Sequence, residues 1–327
     1  MSINKLKGYS AGLVAEMTYG LNPLFALPLM HQGMNTSSIL FFRYSLAIIL
    51  LGAIIFVTKT SLRVSRAHLA MLAILGICFG LSSVTLFESY RYMGAGIAST
   101  LLFVYPLMVA LIMRFMFGER LSAVTMTCLG VALVGIGLLF KGDGDTTLSL
   151  TGTLFVLASA LSYALYMVFI NRNGLNRLPV LTSTFYVLLF GMLVFIADIA
   201  FRGSLTVPLS MFQWGCALCL ALLPTAISIF CTNKSINAIG ATPTAILGAM
   251  EPLTALVVGV VVFGEVLTPR DFTGIFLIIT AVVMVIGGSS TVRLLNRLTH
   301  SLIRKTRGCI IMAHLRRWLK IRLRSHT

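Results

Sequence analysis

Charged residues are scarce in this sequence. Asp, Glu, Lys and Arg make up 10% of the 327 residues, whereas apolar residues make up 58% and the mean hydropathy is +0.97. A soluble globular protein carries about 25% charged residues, because it needs them to cover its surface in water. The shortage of charge therefore argues against a soluble enzyme, a nucleic-acid-binding protein and a disordered scaffold.

Acidic residues are rarer than basic ones. The sequence has nine Asp and Glu against 25 Lys and Arg, which gives a formal net charge of +16. Most of this excess lies in Arg293–Thr327, which holds ten basic residues and no acidic one. Such a segment, if it lies near the inner leaflet, is attracted to anionic headgroups by about 1 kcal/mol per basic residue. We interpret it as a membrane-surface anchor, with a disordered tail as the alternative, and we expect no nucleic-acid partner.

Motifs for catalysis or nucleotide binding are also missing. The sequence has no G-x-x-x-x-G-K-[ST], and this absence argues against direct use of ATP. Its apolar runs hold His and Asp only at or near their ends, at His68, Asp198 and Asp271, so they offer no nucleophile–base pair and no set of metal ligands. Five of the six cysteines lie in these runs, where Cys behaves as a small apolar residue. We therefore predict no enzymatic activity, no cofactor and no metal site.

Long apolar runs, by contrast, fill the sequence. A helix that crosses a bilayer needs about 20 mainly apolar residues. Ten runs have that character, namely 8–30, 38–58, 68–90, 94–117, 121–140, 150–171, 180–201, 209–231, 241–264 and 270–290. The first is too long for a signal peptide and contains Glu16, Asn22 and Pro23, so we interpret it as a membrane helix. The prediction is an all-α membrane protein with ten transmembrane helices.

The distribution of Lys and Arg between the runs predicts the orientation. With the N-terminus in the cytoplasm, the inner connections collect ten Lys and Arg and the outer connections collect four. Positive residues favour the cytoplasmic side. The basic tail also falls inside, because the number of predicted spans is even. We expect a multi-pass protein with both termini in the cytoplasm.

An internal repeat divides the chain. At an offset of 146 residues, positions 94–121 match the later segment at nine of 28 places, including Pro106 with Pro252 and Glu119 with Glu265. Each half holds five predicted spans, so the second half enters the membrane from the opposite side. Inverted repeats of this kind are common in secondary transporters, which bind substrate near the midplane between the repeats.

The repeated segments also resemble a known family. Glu88–Leu121, with ESYRYMGAGIASTLLFVYPLMVALIMRFMFGERL, and Asn233–Thr268, with NKSINAIGATPTAILGAMEPLTALVVGVVVFGEVLT, are similar to the fourth and ninth helices of EamA-type proteins of the drug/metabolite transporter superfamily. FFRYSLA at Phe41–Ala47 resembles the second helix. The resemblance implies a first repeat at 1–140, a second at 150–290 and a tail at 291–327 outside the family pattern. It further implies a secondary transporter of the bacterial inner membrane, commonly an exporter of amino acids or related metabolites.

Polar residues inside the predicted spans are the candidate substrate site, since each costs free energy in hydrocarbon. By helical rise, Glu16 and Glu251 lie about 12 and 15 Å into their helices, close to the middle of the membrane. We expect them to bind an amino group of the substrate or to exchange a proton. The other candidate substrate-binding residues are Tyr19, Asn22, Tyr105, Ser159, Tyr163 and Tyr166. Interhelical hydrogen bonds that only hold the bundle together are the alternative.

Two prolines and one possible ion pair are candidate gating elements. Pro106 and Pro252 occupy matching mid-helix positions, where each removes a backbone donor. Paired interruptions of this kind indicate a transporter site, although a static kink is the alternative. Arg43 and Glu88 lie at similar outer depths in their helices, so we expect that the two could pair or that Arg43 contacts an anion. Gly76-x-x-x-Gly80 predicts close helix packing.

These observations together predict a secondary active transporter that works by alternating access. Its partners would be a small polar substrate, protons as a coupling ion, and membrane lipids at the tail. A channel or a non-transporting membrane sensor is the alternative function.

Overall fold

The computed structural model describes residues 3–92, 98, 101–119, 122–139, 149–170, 172, 174–202, 204–263, 269–270 and 272–284. Helices and their connections make up this part of the chain, and it contains no strand. The basic tail at 291–327, which we predict to anchor at the membrane surface, lies outside the described residues.

Thirteen helices are described within these ranges. Those of the first half are α1 (Ile3–Tyr19), α2 (Asn22–His31), α3 (Thr36–Thr58), α4 (Arg66–Ser89), α5 (Tyr105–Phe117) and α6 (Ala123–Leu139). Those of the second half are α7 (Leu150–Phe169), α8 (Val180–Arg202), α9 (Met211–Ala221), α10 (Ser228–Ile239), α11 (Ala241–Leu247), α12 (Met250–Phe263) and α13 (Phe272–Met284). A π-helical turn at Leu222–Ile227 joins α9 to α10.

Five helical stretches are long and apolar enough to cross a membrane by length and composition. They are Thr36–Thr58, Arg66–Ser89, Leu150–Phe169, Val180–Phe201 and Met211–Ile239. Large apolar side chains face outward, with Phe56 85% and Phe201 92% exposed, whereas the Arg43 side chain is fully buried. A protein in water shows the reverse arrangement. The chain is therefore built for a lipid environment.

Polar side chains define where several of these helices begin. Asn35 Oδ1 accepts a hydrogen bond of 2.7 Å from the Ser38 amide at the start of α3. Ser65 and Ser149 cap α4 and α7 in the same way, and Ser210 forms a reciprocal capping box with Gln213 at the start of α9. The first amides of a helix have no partner within it, so these side-chain oxygens satisfy donors that the helix itself leaves unpaired.

Small residues bring α4 against α8. A Cβ atom placed on Gly76 would lie 2.7 Å from the Val187 carbonyl oxygen, and one on Gly80 would lie 2.6 Å from the Gly191 carbonyl oxygen. Such contacts are shorter than real Cβ atoms make, so both positions require glycine. The predicted packing role of Gly76-x-x-x-Gly80 is confirmed.

Most of the helix contacts join the two halves. Helix α1 packs against α10 and α12, and α7 packs correspondingly against α4 and α5. Helix α3 lies against α8 and α9. The faces of α1 and α7 that carry the predicted polar residues are thus enclosed by helices of the opposite half.

Candidate functional site

Glu16 lies inside the protein near the end of α1. Its side chain is 2% exposed, and its Oε1 atom has no hydrogen-bond partner among the described residues. Glu251, in the first turn of α12, interacts with it electrostatically. The structure therefore brings together the two carboxylates that were predicted from separate halves of the sequence.

A close backbone contact holds these two segments together. A Cβ atom on Gly20 would lie 2.5 Å from the Glu251 carbonyl oxygen, so only glycine lets α12 approach here. Helix α1 ends at Tyr19, just before this contact, and the chain continues in α2 from Asn22. The interruption follows from Pro23, which cannot donate a backbone hydrogen bond.

Aromatic rings form a second group beside the carboxylates. The ring centroids of Tyr105 and Tyr163 are 4.9 Å apart at an angle of 72°, and Tyr163 and Tyr166 stack at 6.0 Å. The Tyr105 hydroxyl donates a hydrogen bond of 3.3 Å to the Ala245 carbonyl oxygen in α11. Glu16 and Glu251 interact electrostatically with both Tyr105 and Tyr163. These predicted site residues therefore lie near the carboxylates.

Ser159 and Tyr166, which were also predicted to bind substrate, have hydrogen-bond partners in neighbouring helices. Ser159 donates a hydrogen bond of 2.8 Å to the Ser82 carbonyl oxygen, which ties α7 to α4. The Tyr166 hydroxyl donates one of 2.6 Å to Asn233 Oδ1 in α10. Both contacts are of the kind that holds a bundle together, which is the alternative role considered for them above.

Arg43 is fully buried between the halves. Its Nη1 donates to Asn22 Oδ1 at 3.0 Å, its Nη2 to the Pro224 carbonyl oxygen at 3.1 Å, and its Nε to Thr225 Oγ1. The guanidinium carbon lies 5.9 Å from the centre of the Tyr19 ring. Arg43 thus links α3 to the start of α2 and to the π-helical turn.

The expected pairing of Arg43 with Glu88 is wrong. Glu88 instead forms a salt bridge of 3.2 Å with Arg91, three residues further along the chain. The physical reason is local geometry, since residues three apart are neighbours at the end of a helix. Arg43 points away from this pair because Asn22 and the π-helical turn supply its acceptors.

Both prolines mark interrupted helices. Helix α5 begins at Tyr105, directly before Pro106, after a turn at Phe103 and Val104. In the second half, α11 ends at Leu247 and α12 begins at Met250, two residues before Pro252. The Gly248 carbonyl oxygen, which Pro252 leaves without its usual donor, accepts instead from the Glu251 amide at 2.9 Å.

Two buried threonines, Thr225 and Thr242, were not predicted from the sequence. Thr225 holds Arg43 and also donates to the Leu220 carbonyl oxygen at 2.7 Å, while Thr242 Oγ1 is buried with no partner among the described residues. The signal that could have found Thr225 is Pro224, a helix-breaking residue inside the apolar run 209–231.

A cavity of about 320 Å³ lies away from the carboxylates. It opens where the α2–α3 connection meets the end of α8, and its polar lining includes Glu88, Arg91, Asp198 and Ser37. Ser37 Oγ donates a hydrogen bond to Asp198 Oδ2 across it. Glu88, predicted as a gating residue, lies in the wall of this cavity rather than beside Arg43.

Both halves of the chain match the same family model. The EamA-like transporter family matches residues 6–141 and again residues 150–287. The chain belongs to the EamA-like transporter family. This confirms the resemblance, and it makes the chain a helical, multi-pass membrane protein of a transporter family.

Several EamA relatives are similar to this chain over part of their length. The threonine/homoserine exporter RhtA of Escherichia coli K12 is 26% identical over 236 residues, which cover 71% of this chain and 75% of RhtA. The uncharacterized transporter YdfC of Bacillus subtilis is 28% identical over 189 residues, 56% of this chain. The chain spans 60% of the length of YdfC.

A solved crystal structure shares the fold. It is 15% identical in sequence, with a TM-score of 0.76, and the superposition covers 88% of this chain and 98% of the other. At this level of identity the likeness concerns the fold alone.

Proposed function

We propose that this protein is a secondary active transporter that exports a small polar metabolite, such as an amino acid or a related compound, by alternating access. One observation carries the proposal: Glu16 is buried between the two halves with a carboxylate oxygen that has no partner among the described residues. A polar group of this kind is expensive in a membrane interior, so it marks a functional site rather than packing.

The arrangement of the halves supports this mechanism. In the proposal, ten spans form two inverted repeats, 1–140 and 150–290, with both termini in the cytoplasm of a bacterium. Helix α1 contacts α10 and α12 while α7 contacts α4 and α5, as two related repeats would. Rocking of one repeat against the other then exposes a site between them to either side.

The interrupted helices and the outer cavity fit the same cycle. The breaks before Pro106 and beside Pro252 give each half a short segment that can change direction without unfolding a whole helix. The cavity lined by Glu88 and Asp198 is, in this proposal, the outer vestibule. Arg43 and the two prolines are the elements whose contacts change between states.

The tail at 291–327 is proposed to hold the cytoplasmic side at anionic headgroups. Binding of the full chain and of a chain ending at Ser290 to vesicles with and without phosphatidylglycerol would test this. Stronger binding of the full chain to vesicles with phosphatidylglycerol, lost in high salt, supports the proposal. Equal binding of the two chains to these vesicles contradicts it.

Counterflow in proteoliposomes tests the transport function. Vesicles with purified protein are loaded with each unlabelled amino acid in turn, and uptake of the same labelled compound is followed. A carrier gives saturable uptake that is accelerated by the internal substrate. Flux that does not saturate would identify a channel, and binding without flux would identify a sensor; either result would overturn the proposal.

A further inference from the structure

Arg43 carries a positive charge that the described residues do not neutralise. Its side chain is fully buried, and its three hydrogen bonds go to an amide, a hydroxyl and a backbone carbonyl oxygen, all neutral. Among the described residues it forms no salt bridge, and the predicted partner Glu88 is paired with Arg91. A buried cation is normally matched by an anion, since neutral acceptors offset only part of its lost hydration.

The side-chain amide of Asn22, which accepts a hydrogen bond from Arg43, has an unsatisfied donor. Asn22 accepts from Arg43 through Oδ1, while its Nδ2 atom has no partner among the described residues and the side chain is 3% exposed. A guanidinium also has five N–H donors, more than the three contacts use. The place therefore offers donors and positive charge, which together suit a carboxylate.

Groups of opposite charge lie near one tyrosine. Tyr19 has the Arg43 guanidinium 5.9 Å from its ring centre, and it also interacts electrostatically with Glu16 and Glu251. A molecule bound beside Tyr19 would thus be near both a cation and two carboxylates. This polarity matches a zwitterion whose carboxylate is at the Arg43 end.

We propose, on the basis of the transport function above, that Arg43 and Asn22 form the subsite for the carboxylate of the substrate. The Thr225 hydroxyl and the Pro224 carbonyl oxygen hold the guanidinium in place from the π-helical turn. Glu16 then receives the ammonium group. Arg43 is in this proposal a specificity-determining residue, because a compound without a carboxylate leaves its charge unmatched.

Competition in counterflow tests this subsite with the full chain. The amino acid that gives the strongest exchange is compared with its primary amide, which keeps the ammonium group and lacks the carboxylate. We expect the amide to compete at least about 10-fold more weakly with the wild type, the ratio typical of one lost charge-assisted hydrogen bond. Arg43→Gln should weaken binding of the amino acid, so the difference in competition between the amino acid and its amide should fall to within about 3-fold. Arg43→Lys should restore part of this difference.

Two further variants separate binding from folding. Asn22→Asp places a carboxylate beside Arg43, so it should weaken binding of the amino acid and raise the melting temperature of the protein. If Arg43 only joins helices, the melting temperature rises and transport of the amino acid is unchanged. Arg63→Gln, at an exposed position between α3 and α4, is the matched control and should leave the ratio intact. The carboxylate subsite is overturned, but not the transport function, if the amide competes as well as the amino acid in the wild type. An unchanged ratio of amide to amino acid competition in Arg43→Gln has the same consequence. No saturable exchange of any amino acid in the wild type overturns the transport proposal itself.

Discussion

The Tyr166 hydroxyl donates a hydrogen bond of 2.6 Å to Asn233 Oδ1, and the Asn233 amide in turn donates to Thr184 Oγ1 at 3.0 Å. One buried chain of hydrogen bonds thus joins α7, α10 and α8. Tyr166→Phe leaves the Asn233 oxygen without its donor, so the free energy of unfolding should fall by about 1–3 kcal/mol. The melting temperature of the purified protein in detergent measures this.

Tyr186→Phe is the matched control for that experiment. Tyr186 also donates to a neighbour, the Leu62 carbonyl oxygen at 3.0 Å, but at an exposed position. Its loss should change stability by less than about 0.5 kcal/mol. If Tyr166→Phe keeps the wild-type melting temperature and raises KM for the exchanged compound, Tyr166 binds substrate, as the sequence suggests, and the structural role is wrong.

Glu16→Gln should reduce exchange by about 10-fold or more while the protein still folds. The change keeps the size of the side chain but removes the charge that would bind an ammonium group, and charged hydrogen bonds of this kind are worth about 1.5–3 kcal/mol. Initial rates of counterflow at several substrate concentrations measure the effect. Glu119→Gln, at an exposed carboxylate beyond the end of α5, is expected to stay within about 2-fold. Equal rates for the two variants would remove Glu16 from the site.

Glu251→Gln tests whether protons are coupled to transport. A carboxylate in the first turn of a proline-interrupted helix is a group that can take up and release a proton during the cycle. We therefore expect uptake by the wild type to respond to a pH gradient across the vesicle, and uptake by Glu251→Gln to be insensitive to it. Retention of full pH-dependent transport in the variant would eliminate Glu251 as the coupling residue.

Gly80→Ala should destabilise the packing of α4 on α8 by about 1–3 kcal/mol, because the new Cβ would lie 2.6 Å from the Gly191 carbonyl oxygen. Gly215→Ala in α9 makes the same chemical change where no atom lies within 4 Å of the new Cβ. There the better helix propensity of Ala should stabilise by about 0.5–1 kcal/mol. If the melting temperatures of Gly80→Ala and Gly215→Ala change in the same direction, the close approach of α4 and α8 is not the reason for glycine at position 80.

Local patterns in the sequence predicted much of the helical framework. Apolar runs predicted helices where the structure has them, and Gly76 and Gly80 predicted a close contact because small residues are the means by which membrane helices approach. Pro106 and Pro252 indicated interruptions, since proline removes a backbone donor wherever it occurs. The carboxylates Glu16 and Glu251 stood out because ionisable groups are rare in apolar runs. Each signal depends on only a few neighbouring residues.

The partners of those residues depend on contacts between distant segments, and here the sequence was insufficient. Arg43 and Glu88 were matched by depth and opposite sign, yet depth does not say which way a side chain points around its helix. Arg43 instead meets Thr225, 182 positions away in sequence. Likewise, nothing in the sequence near Tyr166 identifies Asn233 as its acceptor, 67 positions further on.

The π-helical turn at Leu222–Ile227 has a consequence for insertions and deletions in this chain. A turn of this type accommodates one residue more than an α-helical turn, so every side chain after it is rotated by about 100° from where a continuous α-helix would place it. Asn233 meets Tyr166 only with that extra residue present. Deleting a single residue from 222–227 would turn α10 about its axis and carry Asn233 off the α7 face. In a homologous chain with a continuous helix here, the polar residue that corresponds to Asn233 must be shifted by one position in the sequence to make the same contact.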